Sequence, residues 1–168
     1  TAQDYQRFSE AVSHATEQCV YLALAEHLEP HQLSGIDDAE TKGRDGQWIH
    51  PFEILTIGGD DVMLVVPANK ALAIAQTLCK QFELLLPEFG QTQQLSQEKL
   101  KAIHRYRPET AKNSGCNLSM SAGVLITAEN TPIYYAENLT SQLLKSAKSH
   151  AKALKKHGYH GGTIDFLV

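Results

Sequence analysis

A tetrad of two glycines and two aspartates, residues 58–61, lies between two short apolar runs and constrains the fold more than any other stretch. The flanking runs, residues 54–57 and 62–66, are rich in β-branched and aliphatic side chains, which favour buried strands. Glycine adopts positive φ at little steric cost, so a glycine pair between two such runs is typical of a tight turn. We therefore expect a β-hairpin with the tetrad at its tip.

Two neighbouring carboxylates at a hairpin tip, Asp60 and Asp61, repel each other, and a turn does not require both. Mg²⁺ binds one or two carboxylates together with substrate phosphates, and such an ion would relieve the repulsion. Gly58 and Gly59 would let a triphosphate approach the backbone closely. This layout predicts metal-dependent nucleotidyl transfer. The alternative is a hairpin whose tip is merely polar, since Asp and Gly are common turn residues.

The composition is that of a globular domain and gives no sign of a membrane anchor. The chain has 168 residues, of which 42% are hydrophobic and 20% charged, which suits one domain with a substantial core. Its net charge of −4 provides no overall attraction to nucleic acid or anionic lipid. The cysteines, Cys19, Cys79 and Cys116, show no zinc-type spacing, and no apolar run reaches membrane-spanning length. These features predict a cytoplasmic protein.

The periodicity of the remaining sequence predicts three helices and two further strands. The helices are expected at residues 4–28, 69–84 and 133–157, and the strands at residues 116–127 and 163–168. This order indicates an α+β fold, a ferredoxin-like palm that lacks its first strand, with an antiparallel-rich sheet and helices on one face. We interpret residues 1–168 as one domain.

Two polar stretches, at about 29–51 and 87–115, are interpreted as insertions in this domain. Trp48 is expected to anchor the first insertion to the core, and the acidic pair Asp37 and Asp38 to lie in a solvated loop. The small residues 121–123 indicate either close approach of another group or tight packing of a helix on the sheet. Lysines at positions 145, 148 and 152 lie along one side of the last helix, where they would either meet phosphates or form a solvated face.

Four segments, taken in order and spacing, resemble the GGDD palm domain of the large subunit of type III CRISPR effector complexes, a family related to the GGDEF nucleotide cyclases. They are the hairpin at residues 57–68, a Ser-Ala-Gly strand at 118–124, an Ala-Lys helix at 143–148 and a closing strand at 163–166. The resemblance covers roughly residues 52–86 and 116–168.

The resemblance implies a nucleotidyltransferase that makes cyclic oligoadenylate, a second messenger of antiviral defence, from ATP. It implies that Asp60 and Asp61 bind Mg²⁺ or Mn²⁺ and that Gly58 and Gly59 lie under the triphosphate. It further implies that Ser121 lines the nucleotide pocket and that Lys148 binds phosphate. The partners would be ATP and other subunits of a CRISPR ribonucleoprotein complex, with guide and target RNA involved indirectly and no membrane.

One departure from the family keeps other functions open. The family has a strand before the first helix that supplies a further acidic metal ligand, whereas this sequence begins at the helix, with Asp4 the nearest acid. Either this chain is a fragment that lacks the strand or the protein has lost the activity, and we expect the chain alone to be inactive. One alternative is a non-catalytic palm that binds a nucleotide or scaffolds a complex. Another is a diguanylate-cyclase-like GGDEF relative, which is disfavoured because Asp61 and Val62 stand where that family has Glu and Phe.

Overall fold

The fold was analysed in a computed structural model, which describes residues 2–38, 40–89, 118–157, 159 and 161–168. Within these residues the helices are α1 (Ala2–His27), α2 (Ala71–Phe89) and α3 (Ile133–Lys155). The strands are β1 (His31–Gln32), β2 (Trp48–Ile49), β3 (Glu53–Gly58), β4 (Asp61–Val65), β5 (Ala122–Leu125) and β6 (Ile164–Leu167). The predicted α+β class is confirmed. None of the described helices is both long and apolar enough to cross a bilayer.

The core lies between α1 and α2, which pack against each other along their apolar stripes. On α1, Ala15, Cys19 and Ala23 have no exposed surface, and on α2, Ile74 and Leu86 are almost completely buried. The α1 stripe consists largely of small side chains, and interhelical distance depends on side-chain size at the contact, so the two helices can approach closely. The helical periodicity predicted for both segments is confirmed.

The antiparallel hairpin of β3 and β4 lies against this core. Its core-facing side chains are Ile54, Ile57, Val62 and Leu64. Ile54 and Ile57 are three residues apart, so a regular strand would direct them to opposite faces of the sheet. The register shifts between Ile54 and Thr56, as in a β-bulge, and leaves Leu55 unpaired. The extra residue allows both isoleucines to pack on the same core.

The second unit consists of β5 and β6, which pair in parallel, and α3, which connects them and packs across both. Parallel strands require such a crossover. A Cβ atom at Gly123 would lie 2.5 Å from the backbone nitrogen of Leu144 and 2.5 Å from the carbonyl oxygen of Thr140. Of the two interpretations of the small residues, tight helix-on-sheet packing therefore applies at Gly123. Residues 116–117 of the predicted strand lie outside the described part of the chain.

The C-terminal end of α2 differs from the sequence expectation. The helix was expected to end near residue 84, before Leu85 and Pro87, but it continues to Phe89. Leu86 is only 1% exposed and belongs to the core cluster, so its burial favours another helical turn. Pro87 lies in the last turn, where its missing N–H removes a single helical hydrogen bond. Tertiary packing thus overrides the local stop signal.

The polar segment before the hairpin forms a small ribbon of β1 and β2, in which Gln32 pairs with Trp48. The expectation that Trp48 anchors this segment to the core is wrong, because 70% of its side chain is exposed. Asp38 holds the turn of the ribbon, since its carboxylate accepts a 2.7 Å hydrogen bond from the Thr41 hydroxyl. This hydrogen bond lowers the pKa of Asp38 below its ordinary value.

Gly123→Ala tests the close approach of β5 and α3. We expect the free energy of unfolding to fall by about 1–3 kcal/mol, the usual cost of overpacking, because the new methyl group would meet backbone atoms that cannot rotate away. Urea unfolding followed by far-UV circular dichroism measures the change. Gly43→Ala is the matched control, since a Cβ atom there meets nothing within 4 Å. Equally small changes in both variants would contradict this packing.

Two buried cysteines in the core, Cys19 and Cys79, are expected to be unreactive in the folded chain. Burial raises the pKa of both thiols from 9.0 to about 12, so they remain protonated at neutral pH. Their contribution to stability is full below pH 9.0 and is lost as the pH rises towards about 12, because the unfolded thiols ionise first. Thiol labelling of a Cys116→Ser variant should be fast only in denaturant. Fast labelling without denaturant would show that the thiols are accessible.

Candidate active site at the hairpin tip

The tetrad forms the turn between β3 and β4. Gly58 is the last residue of β3 and pairs with Asp61, the first residue of β4, which leaves Gly59 and Asp60 as a two-residue loop. Gly59 has φ of +59°, and Asp60 does not have positive φ. Positive φ at the first loop position alone is the pattern of a type II′ turn, which matches the twist of the strands. The turn therefore presents both carboxylates at the end of the hairpin.

The two glycines of the tetrad have different structural explanations. Gly59 is required by its backbone conformation, because an L side chain at this φ is strained. Gly58 does not have positive φ, and a Cβ atom built on it would meet no atom within 4 Å. A glycine within a strand weakens the strand and often marks close approach by a ligand. The fold thus accounts for Gly59, whereas the space beside Gly58 is open.

The carboxylates of Asp60 and Asp61 are exposed and adjacent. Within the described part of the chain, no cationic side chain forms an ion pair with either carboxylate, and no donor forms a hydrogen bond with them. Asp38, the other acidic residue considered above, differs because its carboxylate already accepts a hydrogen bond from the Thr41 hydroxyl. The lone pairs at the tip therefore remain open to an external ligand, and Mg²⁺ accepts this type of donor.

A protein cage for a metal ion is not present among the described residues, which contain no group of three or more His, Cys, Asp and Glu side chains suited to hold one. The two tip carboxylates fit the other mode of binding, in which Mg²⁺ keeps several waters and is completed by substrate phosphates. His27, the last residue of α1, has its Nε2 atom 2.7 Å from the Thr77 hydroxyl oxygen. That hydrogen bond joins the end of α1 to α2.

The other two predicted site residues belong to the second unit. The hydroxyl of Ser121 accepts a 3.4 Å hydrogen bond from the backbone N–H of Thr163, just before β6, and Lys148 is exposed on α3. No hydrogen bond or ion pair between described residues joins either side chain to the hairpin tip. The structure thus brings Gly58, Gly59, Asp60 and Asp61 together, and a shared site with Ser121 and Lys148 remains a prediction.

The residues that connect the second unit to α2 were not among the predicted site residues. The Glu83 carboxylate accepts a 2.9 Å hydrogen bond from the backbone N–H of Gly162, and the Tyr159 hydroxyl donates a 2.7 Å hydrogen bond to the Gly162 carbonyl oxygen. Burial of Tyr159 raises its pKa above the ordinary value. A Cβ atom at Gly162 would collide with the carbonyl oxygen of Met120. Glu83 carried no sequence signal of this contact, because its partner lies 79 residues away in the chain.

An open cleft of about 430 Å³ lies between the start of α2 and β6. Its lining residues are Leu72, Ala73, Gln76, Ile164 and Phe166. Gln76 is the one polar side chain of this lining, and no carboxylate or cation contributes to it. The cleft is therefore suited to an apolar or aromatic group. The carboxylates predicted to bind a metal ion, Asp60 and Asp61, lie at the hairpin tip and do not line the cleft.

Comparison with known protein families gives a match over most of the chain. A family model described as Cas10/Cmr2, second palm domain, matches residues 1–155. The matched span includes the hairpin and extends to the end of α3. No curated protein and no solved structure matches the chain at a significant level.

The different explanations for the two glycines predict different stabilities. Gly59→Ala should lower the free energy of unfolding by about 1–2 kcal/mol, because alanine is strained in the left-handed region. Gly58→Ala should leave it within about 1 kcal/mol of the parent and can raise it, since alanine restricts the unfolded chain. Urea unfolding of both variants measures this difference. A loss at Gly58 as large as that at Gly59 would show that the fold itself requires both glycines.

Proposed function

We propose, because the chain belongs to the family of Cas10/Cmr2 second palm domains, that its hairpin tip is a metal-dependent nucleotidyl-transfer site. The chain is accordingly a palm domain of a type III CRISPR effector. The reaction we propose is the synthesis of cyclic oligoadenylate from ATP, in which a ribose hydroxyl attacks the α-phosphate of another ATP and pyrophosphate leaves.

This proposal rests on one observation: the tip combines two unpaired carboxylates with a glycine that the fold does not require. Asp60 and Asp61 have no partner among the described residues, and the fold does not require the glycine at position 58. A purely structural hairpin would gain nothing from two adjacent unpaired carboxylates or from a glycine within its strand. Both features are useful if a triphosphate and a cation approach the tip.

Each tip residue would have a defined role. Asp60 and Asp61 would hold Mg²⁺ or Mn²⁺, and the open side of Gly58 would allow phosphate oxygens to approach the backbone. A bound divalent ion supplies charge neutralisation at the phosphates and lowers the pKa of the attacking hydroxyl. Ser121 would contact the nucleotide and Lys148 a phosphate, which requires the second unit to lie close to the tip.

Membership of this family also indicates protein partners for the domain. Cas10/Cmr2 proteins belong to multi-subunit CRISPR complexes, so we expect contacts between this domain and other subunits. Guide and target RNA would influence the tip indirectly, through those subunits. ATP is the small-molecule partner that the proposed reaction requires.

A second candidate function is a palm that binds a nucleotide or scaffolds the complex without catalysis. The observation that favours it is the small number of metal ligands, since the described residues place two carboxylates at the tip and contain no larger metal-binding group. Nucleotidyl transfer with metal ions depends on firmly positioned ions, for which two carboxylates alone are a minimal set.

Calorimetric titration of ATP with Mg²⁺ separates these candidates. The parent chain should bind ATP in a metal-dependent manner, Asp60→Asn/Asp61→Asn should abolish binding, and Gly58→Ala should weaken it by about tenfold or more, the equivalent of about 1.4 kcal/mol. Asp37→Asn is the matched control, because it removes an exposed carboxylate from the ribbon segment instead of the tip.

The possible outcomes distinguish the proposals clearly. Equal binding by the parent and the tip variant would place ATP elsewhere and overturn the proposed site. Metal-dependent binding without any oligoadenylate product in the assembled effector complex would favour the non-catalytic palm. A preference for GTP over ATP would support the cyclase-like alternative.

A further inference from the structure

The lysines of α3 are concentrated on one flank of the helix. They are Lys145, Lys148, Lys152, Lys155 and the capping residue Lys156, all exposed. At about 100° per residue, these five positions occupy an arc of about 100° beside the buried stripe of Ala147 and Ala151. The opposite flank carries no lysine and includes Ser146, His150 and Ala153. We call the lysine-bearing side the cationic flank.

The cationic flank is not neutralised within the described part of the chain. None of its five ammonium groups has a carboxylate within 4.0 Å there. Glu137, the one acidic residue of α3, lies on the same arc but about two turns before Lys145. A face that only needs hydration usually mixes both signs of charge, often as Glu–Lys pairs four residues apart. The flank is therefore a concentrated patch of positive charge on a chain whose net charge is −4.

The helix dipole explains only part of this pattern. Cations in the last turn of a helix interact favourably with its carbonyl end, which accounts for Lys152, Lys155 and Lys156. Lys145 and Lys148 lie about two turns or more before the end of α3, beyond the range of this effect. Their position on the same flank requires another reason.

An exposed aromatic residue lies on the same flank. Tyr134, in the first turn of α3, is 74% exposed, and helical spacing places it in line with Lys145 and Lys152. At 1.5 Å per residue it lies about 16 Å from Lys145 along the axis. Proteins that bind single-stranded nucleic acid combine cations that follow the phosphate backbone with aromatic side chains on which bases stack.

We propose that the cationic flank of α3 binds the phosphate backbone of single-stranded nucleic acid, with a base stacked on Tyr134. All five cations are lysines, whose ammonium groups bind phosphates as point charges and do not require a fixed geometry. The flank presents exposed lysine side chains, whereas protein interfaces typically contain buried aromatic or apolar anchor residues. A duplex would keep its bases paired and could not offer one to Tyr134. This surface is distinct from the hairpin tip, although Lys148 belongs to both proposals.

Fluorescence anisotropy with a labelled oligouridine of about 12 nucleotides, within the range of known single-strand binding sites, tests the proposal at several salt concentrations. If the lysines contact phosphates, the logarithm of the affinity should fall with the logarithm of the salt concentration, with a slope of about −0.7 per phosphate contact. The triple variant Lys145→Gln/Lys152→Gln/Lys156→Gln should bind more weakly, with a slope shallower by about 2. This variant keeps Lys148, so ATP binding at the tip should not change.

Lys80→Gln is the matched control, since it removes an exposed lysine from α2 instead of α3. It should leave both the affinity and the salt slope unchanged. Tyr134→Ala should weaken binding roughly tenfold without changing the slope, because stacking does not release counterions. Tyr134→Phe, which keeps the ring, should bind like the parent. Circular dichroism confirms that the variants remain helical.

Several results would overturn the proposal. Equal affinity and salt slope in the parent and the triple lysine variant would exclude the flank as the binding surface. Equal or tighter binding of a duplex of the same length would exclude the stacked single strand. Competition by polyglutamate as effective as that by oligouridine would indicate an acidic protein partner. The supporting result is loss of ATP binding in the tip variant with unchanged oligouridine binding, which would show that the two sites are separate.

Discussion

The contact between α1 and α2 is the interaction on which the rest of the structure depends. A two-stranded hairpin is at best marginally stable in water, so β3 and β4 hold their geometry because their isoleucines, Val62 and Leu64 rest on this helix pair. The position of Asp60 and Asp61 is therefore determined by core side chains outside the tetrad. A cavity in the helix contact would loosen the tip even if every residue of the tetrad remained, because interiors transmit strain through close packing.

The second unit depends on the same helix pair through a narrower connection. The Glu83 side chain on α2 accepts a hydrogen bond from Gly162, Tyr159 donates to the carbonyl of Gly162, and Met120 packs against the core cluster. These few contacts determine where Ser121 and Lys148 lie relative to the hairpin. A hydrogen bond to a charged group contributes about 1.5–3 kcal/mol, so loss of the Glu83 carboxylate would weaken the connection between the two units.

Much of the fold could be predicted from local patterns, and the departures have tertiary causes. Apolar spacing located all three helices, and the glycine pair located the hairpin turn, because both signals act over a few residues. The extension of α2 through Pro87 could not be foreseen, since it follows from the burial of Leu86 against α1. The same holds for the bulge at Leu55 and for the carboxylate of Glu83, whose partner is 79 residues away in the sequence. Within the site, the tetrad was visible as a sequence motif. Only the structure shows that the fold requires Gly59, because of its positive φ, and does not require Gly58, beside which the space is open.

The exposure of Trp48 has a spectroscopic consequence. It is the only tryptophan of the chain, and it lies on the β1–β2 ribbon with most of its side chain in water. Its indole emission therefore reports the ribbon and not the α1–α2 core. The fluorescence change on unfolding will be small, so that backbone signals are the better measure of folding. In the folded chain, however, a blue shift or a loss of quenching by acrylamide reports contact at one known place. The protein thus carries a natural probe for any molecule that covers the ribbon during assembly.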